Sequence, residues 1–141
     1  MIAQALQEVT GFHTYSLSAP INALKGVSFW WRALRCALSR KGCPIDNMPE
    51  TIPTEIYICG PIWAGDMAGP LKNFVHHANL NGVTVHCALT GMQPSEQNRT
   101  AARKLLQRAG AQVGHVLLIA TTKTPPEKAL IVEHLKELMQ A

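Results

Sequence analysis

Two short stretches of this sequence carry residue types suited to holding a flat ligand. The first, Gly60-Pro61-Ile62-Trp63-Ala64-Gly65-Asp66-Met67-Ala68-Gly69-Pro70, has three glycines and a tryptophan between positions 60 and 69. Glycines let backbone N–H groups approach a planar molecule closely, and an exposed Trp63 offers a face for ring stacking. The same residues also suit a plain turn beside a packed tryptophan, and the pattern alone does not separate the two. The second stretch is Thr90-Gly91-Met92-Gln93-Pro94. Other chemistries find less support. Ser16, Ser18, Ser39 and Ser95 lie in no nucleophile elbow, and no GxGxxG or Walker-type loop occurs. Cys36, Cys43, Cys59 and Cys87 form no CxxC pair and no zinc spacing, and are expected to be buried free thiols. His76 and His77 fall on one helix, while His86 and His115 fall within strands. Without a matching carboxylate at ligand spacing, these are packed or surface histidines, and no metal site is expected.

The elements that must position these stretches follow from periodicity. Ile2, Leu6 and Val9 share a helical face, with Gly11 as the stop. Phe12 to Leu17 alternates weakly, as a short strand would. Ser28 to Ser39 reads as a helix closed by Gly42 and Pro44, and the proline-rich run from Pro44 to Thr54 reads as a loop. Glu55 to Cys59 is an apolar strand running into the first glycine stretch. Pro70 then opens a helix carrying Leu71, Phe74, Val75 and Ala78, with Asn81-Gly82 as its stop. Val83 to Leu89 and Gln112 to Ala120 are strands. Ser95 opens the helix between them, which has Ala101, Ala102, Leu105, Leu106 and Ala109 inward and ends at Gly110. Thr124 and Glu127 form a capping box before a last helix with Ile131, Leu135 and Leu138 on its buried stripe. Apolar strands alternating with amphipathic helices imply an α/β fold, an open parallel sheet with helices on both faces. In such sheets ligands bind where loops leave the carboxyl ends of the strands, and both candidate stretches lie there.

The whole chain fits one domain, residues 1–141. Hydrophobic residues at 47% and charged residues at 16% exclude a disordered chain, and no apolar run approaches a membrane span. The start Met1-Ile2-Ala3-Gln4-Ala5 lacks a signal-peptide pattern, so a cytoplasmic protein is expected. The net charge of +4 is spread out except at Arg32, Arg35, Arg40 and Lys41, which argues against nucleic acid. Trp30 and Trp31 beside those cations could serve a membrane-surface or acidic-partner helix; the reading adopted has the tryptophans covering the sheet and the cations solvated.

The segment Ile58 to Phe74 resembles the flavodoxin family, whose members carry a strand, a Gly-(Thr)-Pro-hydrophobic-Trp-Ala-Gly-x-Met-Ala-x-Pro run, and a helix with a buried Phe. Thr90-Gly91 resembles the family's second flavin loop, and Phe29-Trp30 to Arg40 resembles a Trp- and Arg-containing insertion some members carry. The likeness covers most of the chain. It implies FMN as cofactor and electron transfer, either as a shuttle or as an FMN-dependent oxidoreductase, toward a redox partner protein or a small-molecule acceptor. It places Pro61, Ile62, Trp63, Ala64 and Gly65 along one side of the flavin ring, with Trp63 stacking. Thr90, Gly91 and Met92 would line the other side.

The chain also departs from that pattern. The family's first strand and its S/T-x-T/S-G-N-T phosphate loop would precede Ile2, and neither is present; Thr121-Thr122-Lys123-Thr124 lies at the wrong end to substitute. In the family's strand order 2-1-3-4-5 the missing strand is internal, leaving an open gap or a closed-up sheet. A start assigned too late, a genuine truncated relative, or a homodimer that fills the gap would each account for this, and the first is the expectation. The alternative to flavin chemistry is a flavin-free binding or interaction module. The family's electron carriers are commonly acidic, and this chain is not.

Overall fold

In a computed structural model the chain is described over residues 2–19, 25–39, 41–121 and 128–140. The elements run α1 (Ile2–Thr10), α2 (Gly26–Leu38), β1 (Glu55–Trp63), β2 (Asp66–Met67), α3 (Gly69–His77), β3 (Thr84–Gly91), α4 (Glu96–Arg108), β4 (Gln112–Ala120) and α5 (Lys128–Gln140). The sheet order is β2-β1-β3-β4; β1, β3 and β4 are parallel, and β2 is a two-residue antiparallel return on β1.

Strand alternation sorts the core into two layers. Ile58, Val85, Cys87, Leu89 and Val116 face α3 and α4, meeting Leu71, Phe74, Val75, Ala102 and Leu106. Ala88, Leu117 and Ile119 face the other way, against Ala5 and Leu6 of α1 and Ile131 and Leu135 of α5. The Thr124–Glu127 capping box lies outside the described residues, as does the Leu138 side chain, although its backbone belongs to α5.

Several sequence expectations are corrected. Residues 12–17 form no strand. Asn47 holds that stretch instead: its Nδ2 donates to the Ser16 carbonyl at 2.6 Å, and the Tyr15 hydroxyl donates to the Asn47 carbonyl at 2.9 Å. The third helix stops at His77, ahead of Asn81-Gly82, and Gly82 sits in a left-handed turn (φ 76°) leading into β3. β1 runs through Gly60-Pro61 to Trp63, and Thr90-Gly91 belong to β3, so neither candidate stretch is purely loop.

The expected gap stays open. Beyond the two-residue contact with β2, β1 has no neighbour on the side away from β3 among the described residues. A cleft of about 990 Å³ lies along that edge, walled by Leu6, residues 12–17, Leu71 and Phe74. Pro61 fits the strand because its missing N–H falls on this side: the Thr54 carbonyl bonds toward β3, through Thr84 N–H, so the odd-numbered residues of β1 point away from β3.

Candidate functional site

The two stretches meet at the carboxyl edge of the sheet. Pro61 pairs with Thr90, and the Ile62 side chain packs at Gly91, where an added Cβ would lie 3.4 Å from Ile62 Cδ1. The first stretch is a tight hairpin. Ile62 pairs with Met67 and Trp63 with Asp66, leaving Ala64 and Gly65 at its tip with φ of 49° and 82°. Positive φ at both central residues gives the twist that closes a two-residue hairpin. Glycine adopts it freely, whereas alanine in this region is strained by about 1–2 kcal/mol. Ala64 is the single non-glycine residue with positive φ among the described residues, and it sits at the candidate site.

The hairpin is pinned from two sides. Asp66 accepts from the Met67 N–H at 2.7 Å through Oδ1, and its Oδ2 pairs with Lys72 Nζ of α3 at 3.2 Å, the lysine side chain being 6% exposed. From α4, Asn98 accepts the Ser95 N–H at 2.8 Å and donates its Nδ2 to the Gly65 carbonyl at 2.7 Å. The N3 residue of the α4 capping box therefore also fixes the hairpin tip. Sequence reasoning missed Asn98; the Ser95-x-x-Asn98 spacing signals a helix start but not the bond to Gly65.

Trp63 is half-buried and meets Phe29 of α2 edge to face, ring centroids 5.9 Å apart. It also lines the upper end of the cleft. Pro61, Ala64 and Gly65 are exposed, Ile62, Thr90 and Gly91 intermediate, and Met92 is open to solvent. The structure thus brings all eight predicted residues to one sheet edge.

The cysteines divide into two kinds. Cys36 and Cys43 are joined in a disulfide with Cα atoms 5.1 Å apart, which corrects the expectation of free thiols for that pair. Gly42, at φ 67°, reverses the chain after α2 and brings Cys43 back under Cys36, where the Cys43 N–H donates to the Gly69 carbonyl at 2.9 Å. Cys59 and Cys87 are free, and burial pushes each thiol from 9.0 up to about 12. Both stay protonated, and so unreactive as nucleophiles, near neutral pH.

His86 is buried at the opposite end of the sheet, stacked between Tyr57 at 4.5 Å and His115 at 5.1 Å. Its Nδ1 accepts the His115 N–H at 2.8 Å, so Nε2 carries the proton toward Glu55 Oε1 at 2.7 Å. Gly114 leaves room for this ring; a Cβ there would collide with it. Among the described residues, no group of three or more His, Cys, Asp or Glu side chains gathers as metal ligands. No helix among them is long and apolar enough to cross a membrane.

No family model and no curated protein matches the chain. Two solved structures resemble it throughout. A candidate flavoprotein from Bacteroides eggerthii superposes with a TM-score of 0.74 at 18% identity, covering 97% of this chain and 87% of that one. A second candidate flavoprotein, from Bacteroides uniformis, gives a TM-score of 0.71 at 16% identity over 96% and 88% of the two chains. At these identities the likeness shows the fold alone: a flavodoxin-like α/β architecture with a mostly parallel sheet.

Proposed function

We propose that the protein is a flavin-binding redox protein that takes FMN at the carboxyl edge of its sheet. The observation that carries this reading is the convergence of the Ala64-Gly65 hairpin and the Thr90-Met92 strand end in a flavodoxin-like fold. That the two structural neighbours are themselves described as candidate flavoproteins supports it. In this reading Trp63 stacks on the ring, and backbone groups of Ala64, Gly65, Thr90 and Gly91 meet its polar edges. Met92, exposed without ligand, covers an apolar face. FMN, when bound, supplies electron or hydride transfer; the residues of this chain position the ring and control water access to it. The electrons would pass to a partner protein or to a small-molecule acceptor at the exposed tip.

The residues present fit the ring end of FMN. No Gly-rich phosphate turn leads into a helix among the described residues, so the ring contacts would carry most of the affinity. The direct test is a titration of the purified chain with FMN, followed by flavin absorbance and fluorescence, with circular dichroism as the check on folding. Saturable one-to-one binding is the expected result. A folded chain that leaves FMN fluorescence unchanged would overturn the proposal and favour a flavin-free interaction module.

A further inference from the structure

Helix α2 is apolar on two opposite sides. Ala33 is buried, and Phe29 and Cys36 pack with it against Cys43 and Trp63. On the far side Val27, Trp30, Trp31, Leu34 and Leu38 are 72%, 72%, 65%, 47% and 76% exposed. Their spacing of three, four, seven and eleven from Val27 makes one continuous stripe, about 16 Å long at the rise of an α-helix. The sequence reading that placed both tryptophans over the sheet is therefore reversed: the sheet receives Phe29, and Trp30 and Trp31 face outward. A run of large apolar side chains on a surface helix, with two tryptophans in the middle, marks an interaction face.

The charge around the stripe says what covers it. Lys25, Arg32, Arg35, Arg40 and Lys41 lie in or beside α2, and no Asp or Glu occurs between Glu8 and Asp46. This segment thus carries +5, while the remaining eight cations and nine acidic residues leave −1. Arg35, exposed and four residues on from Trp31, flanks the stripe on one side, and Arg32, also exposed, lies next round the helix between Arg35 and the buried face. Tryptophans at the centre of a helical apolar face with guanidinium groups beside them suit the boundary between lipid headgroups and acyl chains.

We propose that the outer face of α2 docks the protein on an anionic lipid surface, with Trp30 and Trp31 entering the interface and Arg32 and Arg35 meeting lipid phosphates. This does not depend on the flavin reading. The test is co-sedimentation of the full chain with phosphatidylcholine vesicles, with and without phosphatidylglycerol, alongside quenching of tryptophan emission by lipids brominated in the acyl chain. Partition to the anionic vesicles should be stronger by roughly tenfold or more, because each cation held near such a surface adds to the attraction. The exposed double variant Trp30→Ser/Trp31→Ser should keep its circular dichroism but lose the bromolipid quenching and at least roughly tenfold in partition. Arg32→Gln/Arg35→Gln should lose the preference for anionic vesicles. Binding unaffected by the tryptophan changes, or no binding to anionic vesicles, would overturn the proposal. So would a dimer in light scattering that the tryptophan variant dissolves while vesicles are ignored, which would assign the stripe to a second copy of the chain.

Discussion

On the proposed flavin site, replacing Trp63 with alanine is expected to weaken FMN binding roughly ten- to a hundredfold, because an aromatic platform under a flat heterocycle is worth about 1–3 kcal/mol. The indole is half-buried and steadied by Phe29 at 5.9 Å, so the ring is held in place before ligand arrives and little ordering cost offsets the stacking. Trp63→Phe separates stacking from packing: it keeps a ring on the hairpin and should recover most of the affinity. Fluorescence titration of both variants, with a thermal melt of each, reads the two effects apart. Equal affinity for FMN in Trp63→Ala and the parent chain would remove Trp63 from the site.

Gly42→Ala will destabilise the fold by roughly 2–5 kcal/mol, the sum of a left-handed backbone penalty and overpacking. At φ 67° the residue already favours glycine, and an added Cβ would press into the Gly69 carbonyl and come within 2.8 Å of both the Asn73 amide nitrogen and Lys72 Cβ. Most of the opposing atoms are backbone, so nothing swings aside. The neighbourhood is tied on each side, by Cys43 N–H to the Gly69 carbonyl at 2.9 Å and by Asn73 Nδ2 to the Lys41 carbonyl at 3.1 Å. Gly65→Ala is the control: its φ is 82°, yet nothing lies within 4 Å of the added Cβ, so only the backbone term of about 1–2 kcal/mol applies. Urea unfolding midpoints should rank parent, Gly65→Ala and Gly42→Ala in that order. A Gly42→Ala midpoint equal to that of Gly65→Ala would show that the loop behind α2 yields.

The strength of the sequence reading tracked how local the determining forces are. β4 was legible as Gln112 to Ala120 because the apolar run from Val116 to Ala120, between Gly110 and the threonines, admits little else. The helix after Ser95 was legible for the same reason, its inward alanines and leucines recurring at helical spacing. Gly60-Pro61 misled because proline and glycine usually end strands; here the unpaired edge of β1 makes the absent N–H harmless, and that edge is a property of the sheet rather than of the segment. Residues 12–17 failed for a related reason. Their weak alternation needed a neighbouring strand, and the Asn47 side chain instead takes up the Ser16 carbonyl and the Ser18 N–H at the end of the stretch. Both apolar sides of α2 were visible as composition, but which one meets the protein depends on where the chain returns after Gly42. The eight candidate residues were legible as two stretches, and the elements that hold them, Asn98 and the Asp66–Lys72 pair, were not.

The open edge of β1 also sets a rhythm in time. Amides of Ile56, Ile58 and Gly60 point toward β3 and are locked in the ladder, whereas those of Tyr57 and Cys59 point into the cleft and meet no partner among the described residues. Deuterium uptake along this strand should therefore alternate, fast at 57 and 59 and slow at 56, 58 and 60, although all five belong to one strand of the central sheet. Any extended segment that came to lie along that edge would erase the alternation, so the exchange pattern of a single strand reports whether the cleft is filled.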